Sequence, residues 1–396
     1  MKIIQINSVY KSGSTGSIVF AIHDYLIKNN YESIVIYGRG KKYKEDNVYK
    51  SSLEILSKLN KILSKLTGYI YKGNVLSTNK ILRIIKKEKP DVVHIHNLND
   101  YYVNEYRLLK YLGKNKIHTV ITLHSEQMYT GTCGHSLECK AWKETGCQKC
   151  PHILFSAGTN IDKTRKAFHK LKKSYSYFDV DKLNIVACAP WLERNAKESL
   201  LLSKFNLTTI TNGGDESIFN GNYDISDLKK QYPYEKVVLF VCPRLNDPIK
   251  GHQYIEPLSK ELPKEYRILV VGKVTPDVKQ TNGVIYVGEI KDKVLLAKYY
   301  QLADVTIMLS QRECFPMVIV ESLLSGTPVV AFDCVGPVGA FPDKYVKFTK
   351  YGEVKELKTT IFSIKSNKKN ILSYSQKQLT NEKMSYKYKI INNSKE

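Results

Sequence analysis

A chain of 396 residues exceeds one ordinary α/β core and suits two domains, and its 42% hydrophobic and 25% charged residues exclude a disordered or fibrous polymer. No run reaches the ~18 consecutive apolar residues of a membrane span, and Ile3 to Ile6 is too short for a signal-peptide core, so the cytoplasm is the expected compartment. The formal charge of +23 points to an anionic partner: nucleic acid, a phosphorylated small molecule, or the anionic face of a membrane. Lysine outnumbers arginine, which suits diffuse attraction to anions better than bidentate reading of bases, and a general compositional bias explains the charge equally well.

In chain order, Ile3 to Ile6 reads as a strand, Ser12 to Gly16 as a glycine-containing loop, and Ile18, Ala21, Ile22 and Leu26 as one face of a helix. Ser33 to Tyr37, Asp91 to His96 and Thr119 to His124 read as further β-branched strands, preceded by helical or Lys-rich segments. That alternation predicts a parallel sheet with crossover helices. Cys133, Cys139, Cys147 and Cys150 then fall within eighteen residues, spaced x5, x7 and x2, with His135 and His152 beside them. The closing C-x2-C suits a tetrahedral thiolate site, so structural zinc, reduced thiols and disulfides are the readings, disulfides last in a cytoplasmic protein. Cys188, Cys242, Cys314 and Cys334 lie in or beside apolar runs and read as small buried residues.

Asn212-Gly213-Gly214-Asp215 reads as a turn closing the first half. The strand grammar restarts at Lys236 to Val241 and recurs at Arg267 to Val271, Val284 to Val287, Val305 to Leu309 and Pro328 to Phe332. Two open sheets predict ligands at the carboxyl ends of their strands. From Ser373 onward the tail is polar, with Leu379, Met384, Tyr388 and Ile391 as the stripe of a docked terminal helix.

The richest chemistry lies in Ser310 to Val330, where Glu313 stands before a proline-containing loop and Glu321 follows about a turn into a helix that ends at Gly326. Carboxylates near a helix N-terminus are favoured by its dipole and can accept paired hydrogen bonds from sugar or ribose hydroxyls. Upstream, Arg244 follows a strand and Lys250-Gly251 comes six residues later.

These segments resemble the E-x7-E and diphosphate-binding elements of the retaining glycosyltransferase family 4. The resemblance implies an α/β fold of the GT-B type, with two Rossmann-like domains facing each other across a cleft: residues 1–215 on the acceptor side with a Cys-rich insertion at 133–152, residues 216–375 binding the donor, and 376–396 a helix returning to the N-terminal domain. It implies that Glu313 contacts the donor sugar, that Glu321 holds the ribose, that Arg244 and Lys250 hold the diphosphate, and that Phe315, Pro316, Met317 and Val318 line the donor site. His94-Ile95-His96-Asn97 and Thr122-Leu123-His124 continue the resemblance. His124 is the catalytic candidate, although Ser125-Glu126 replaces the aspartate that follows this histidine in relatives. Gly13, Ser14, Thr15 and Gly16 stand where relatives carry paired glycines facing phosphate or acceptor, and Asn212-Gly213-Gly214-Asp215 with Phe219 resembles the linker element, a hinge and cleft wall.

The implied function is a hexosyltransferase-type enzyme that takes a UDP- or GDP-sugar and extends a glycan, such as a lipid-linked oligosaccharide of capsule or exopolysaccharide assembly. It needs no metal for catalysis, in keeping with the absence of a D-x-D signal placed as a ligand. Such an acceptor places the bacterial enzyme at the inner face of the membrane as a peripheral protein, with Lys-rich stretches such as Lys58 to Lys72 against anionic lipid. Two competitors are an inactive transferase-like subunit and a basic nucleic-acid-binding zinc protein. The latter leaves Glu313 and Glu321 unexplained and lacks an interleaved basic and aromatic stripe, so no nucleic-acid partner is expected.

Overall fold

The computed structural model describes all residues except 71–72, 275–279, 335, 365–366 and 394–396. By contact the chain divides into two units, Met1–Thr211 with Met384–Glu396, and Asn212–Lys383.

The first unit is built on seven parallel strands, β1 (Lys2–Asn7), β2 (Glu32–Tyr37), β3 (Val48–Lys50), β4 (Val92–Ile95), β5 (His118–Leu123), β6 (Leu183–Ala187) and β7 (Asn206–Thr209), in the order β3-β2-β1-β4-β5-β6-β7. β4 and β5 are buried at every position, which is why they read as continuous rather than alternating apolar runs. Three strands escape the sequence reading. β3 has three residues, and β7 is an edge strand whose half-exposed Asn-Leu-Thr-Thr carries little apolar signal. β6 is interior but contains Asn184, whose amide meets His118 Nε2 at 3.2 Å while its oxygen accepts from Asn206. The helix Gly13–Lys28 buries Ile18, Ile22 and Leu26 against the sheet. Gly13 to Gly16 form its first turn, so the segment read as a loop is helix. The helix Asn381–Asn393 places Met384 and Tyr388 in the same core as Ile3, Ile18 and Val120.

The second unit holds β8 (Lys236–Arg244), β9 (Tyr266–Lys273), β10 (Val284–Gly288), β11 (Val305–Met308), β12 (Val329–Phe332) and β13 (Val346–Thr349), parallel and ordered β10-β9-β8-β11-β12-β13. Val238, Phe240, Ile268, Val270, Ile307 and Val330 centre its core. β13, an edge strand with an exposed lysine, is the one that sequence reading misses here. The Asn212–Asp215 segment opens this unit. Gly214 N–H donates to the Leu379 carbonyl and Gly214 C=O accepts from Asn381, each at 2.8 Å, which ties the turn to the chain just before the terminal helix.

In both sheets the strand order reverses beside the first strand, between β1 and β4 and between β8 and β11. Loops on the two sides of such a reversal diverge and leave a crevice at the carboxyl ends.

Candidate functional site

At the reversal of the second sheet, the loop after β8 and the loop after β11 interlock. Gln311 N–H donates to the Ile249 carbonyl at 2.8 Å. Gly251, at φ +82°, packs so closely on Leu309 that a Cβ would overlap its carbonyl oxygen. This clasp brings Lys250 Nζ to 2.7 Å from Glu313 Oε1, with both side chains mostly buried. Burial alone lowers the Lys250 pKa, but the Glu313 carboxylate outweighs it and the pKa is raised, so the amine stays charged. Gly336, at φ +133°, lies against the Glu313 carbonyl and leaves no room for a side chain.

Beyond Glu313 the chain turns through buried Phe315, whose ring lies 5.0 Å from that of Phe341, and Pro316 into the helix Met317–Leu324. Met317 and Val318 are half-buried at its first turn. Glu321 accepts a hydrogen bond from the Tyr300 hydroxyl at 3.1 Å, and burial pushes its carboxyl up to about 7 against the opposing pull of that bond and of Lys293. Arg244 is exposed at the end of β8, whereas Lys250 is held by the Glu313 carboxylate. Tyr300, fully buried beneath Glu321, lies outside the motif, and only the fold pairs the two.

At the reversal of the first sheet three histidines line up. His94 and His96 rings are 4.1 Å apart, and His96 and His124 stack at 5.5 Å. His96 Nδ1 lies 3.2 Å from His124 Nε2, and His96 Nε2 lies 3.3 Å from Gln5 Oε1. With Gln5 Oε1 accepting from His96 Nε2–H, His96 Nδ1 must accept from His124 Nε2–H, which leaves His124 Nδ1 unprotonated. Burial lowers His94 to about 3 and His124 to about 4 and holds His96 well below the usual range, so the stack is neutral at pH 7. His96 therefore orients His124. Glu126 does not: it is buried, accepting from Tyr129, Ser136 and Asn195, and pins the Cys-rich segment. Beside the stack, Asn7 Oδ1 accepts from Asn97 N–H and Asn7 Nδ2 lies 3.5 Å from Thr15 Oγ1, so Gly13 to Gly16 sit at the same crevice with His96 and Asn97.

Cys133, Cys139, Cys147 and Cys150 all line one small cavity with His152, and no disulfide joins any of the eight cysteines. Gly131 N–H donates to Cys147 Sγ at 3.1 Å. Among the described residues, no group of three or more His, Cys, Asp or Glu side chains is arranged to hold a metal ion.

Residues 235–356 match the family model described as glycosyl transferases group 1, and residues 21–143 match that described as glycosyl transferase 4-like. The "Putative colanic acid biosynthesis glycosyl transferase WcaC" of Escherichia coli is 25% identical over 84% of this chain and 83% of its own. Among solved structures, sucrose-phosphate synthase from Thermosynechococcus elongatus superimposes with a TM-score of 0.67 at 15% identity, over 100% of this chain and 99% of that one. Anabaena Alr3699/HepE in complex with UDP gives 0.65 at 16% over 100% of both. Two parallel α/β sheets, each unit matched by a glycosyltransferase family model, make this chain a glycosyltransferase of the GT-B fold. The chain carries a family 4-like glycosyltransferase domain followed by a group 1 glycosyltransferase domain.

Proposed function

We propose that this enzyme is a retaining glycosyltransferase that moves a hexosyl group from a UDP-sugar to a lipid-linked oligosaccharide in capsule or exopolysaccharide assembly. The observation that carries the donor side is the clasp of Lys250 and Glu313, followed on the same segment by Glu321. Lys250 and Arg244 meet the diphosphate, where negative charge grows as the bond to the sugar breaks. Glu321 accepts from the ribose hydroxyls, Glu313 from hydroxyls of the sugar, and Phe315 to Val318 give the wall and helix N-terminus beside them. His124, neutral and held by His96, offers Nδ1 to a hydroxyl. The acceptor oxygen bonds to the anomeric carbon from the face the diphosphate leaves, and its proton passes to the departing phosphate. HepE, solved with UDP and with UDP-glucose, supports the choice of nucleotide, and WcaC together with a protein from a Klebsiella pneumoniae cps region, 22% identical over 84% of this chain, supports the choice of acceptor. Such an acceptor sets the enzyme at the cytoplasmic face of the membrane as a peripheral protein.

The four clustered cysteines enter this proposal as thiolates of a structural zinc that closes the insertion and takes no part in the reaction. Their shared cavity supports it, and elemental analysis of purified protein, with Cys147→Ser as control, tests it.

The test of function is release of nucleoside diphosphate from a panel of nucleotide sugars. UDP release that collapses in Arg244→Ala is the expected result. UDP binding with no turnover over a broad acceptor panel identifies an inactive subunit instead.

A further inference from the structure

The helix Glu54–Thr67 is set into the first unit with its faces reversed. On the helical wheel Ile55, Leu59, Ile62, Leu63 and Leu66 share one arc, and Ser57 and Ser64 lie opposite. A helix serving only its own core would bury the apolar arc. Here the serines are buried, and the five apolar side chains are 50% to 67% exposed.

Polar contacts fix this orientation from beneath. Ser57 Oγ lies 2.9 Å from Ser52 Oγ, which accepts from Asn74 Nδ2 at 2.7 Å. Thr159 Oγ1 donates to the Lys65 carbonyl at 2.6 Å. Val75 and Leu76, just beyond, are 59% and 65% exposed.

The charge around the arc has one sign. Lys58, Lys61 and Lys65 border it on one side, and Glu54, the helix's single acid, is already paired with Arg39 at 2.8 Å and Lys50 at 3.2 Å. Past the helix end, Lys163 and Lys170 stand 6.0 and 5.1 Å from the Tyr69 ring. Lys72 lies outside the described residues. An apolar arc edged by lysines and an aromatic is the pattern of a helix lying in a bilayer interface. A second copy of this chain, at a net +23, would on balance be repelled from the lysine row.

We propose that Glu54–Thr67 is a membrane-docking helix that lies flat on an anionic bilayer, its apolar arc at the acyl boundary and its lysines on lipid phosphates. This placement rests on the helix alone and holds whatever the transferase donor. Flotation of the full chain with phosphatidylcholine vesicles, with and without phosphatidylglycerol, tests it. Binding is expected to rise with phosphatidylglycerol and fall with salt. The variant Leu59→Gln/Ile62→Gln/Leu66→Gln, changed only at exposed positions, is expected to lose at least about tenfold in partitioning while circular dichroism and UDP affinity stay unchanged. Leu63→Trp is expected to shift to the blue on vesicles and to be quenched by brominated lipid. Absence of quenching, or a dimer that the triple variant dissociates while vesicle binding persists, overturns the proposal.

Discussion

The two sheet reversals share a topology and differ in chemistry. At the end of β4 and β5 stand three neutral, stacked histidines, passing hydrogen bonds from His124 through His96 to Gln5. At the end of β8 and β11 stand an ion pair and a carboxyl poised near neutrality. The strand order fixes where a ligand can sit, and the loop residues fix what it can be. Neutral rings can orient a hydroxyl without attracting phosphate, whereas a clamped lysine suits a group whose negative charge grows.

The contrast is broken most forcefully at Lys250. Lys250→Ala removes the clamped cation and strands Glu313, and turnover should fall about 10²- to 10³-fold, the usual cost of one donor aimed at developing charge. His96→Asn, which keeps an amide near the position of Nδ1, should cost far less. Steady-state kinetics on both variants decides, and equal losses would erase the distinction between a charge-handling and a positioning site.

A smaller effect separates the two glutamates. With its carboxyl at about 7, Glu321 is protonated below neutrality and ionised above it, so UDP affinity should rise with pH through that range. Glu321→Gln should weaken UDP about tenfold, in line with about 1.5–3 kcal/mol for a hydrogen bond to a charged acceptor, and should remove the part of the pH dependence that this carboxyl contributes, leaving that of the terminal phosphate of UDP. Glu313→Gln should lower turnover more than UDP affinity. Calorimetry at several pH values beside turnover measures all three. Loss of UDP binding in Glu313→Gln with none in Glu321→Gln would reverse the assignment.

The smallest effect lies in acid stability. The histidines' folded pKa values are depressed below the ordinary 6.5, so their contribution is present above that value and is lost as pH falls toward about 4. The melting temperature should drop over that window, and His96→Asn should flatten the drop. A flat wild-type profile would show that the stack is not held neutral.

Much of this was legible in the sequence because each signal is local. Buried parallel strands write continuous β-branched runs, which gave nine of the strands, and the spacing of Glu313 and Glu321 follows from one loop and one helix. The edge strands β3, β7 and β13 were illegible because a strand half in solvent needs no apolar run. The helix Glu54–Thr67 read only as a Lys-rich stretch, since its amphipathic pattern does not tell which face is turned inward. By itself, then, the sequence determined two α/β sheets, the carboxyl ends where chemistry gathers, and the carboxylates and cations placed there. Tertiary structure alone decided that Lys250 meets Glu313, that His96 rather than Glu126 orients His124, that Tyr300 lies under Glu321, and that the apolar arc of Glu54–Thr67 faces solvent. Each of these joins residues far apart in the chain, or sets a helix against its neighbours, and no local pattern encodes which partners packing will bring together.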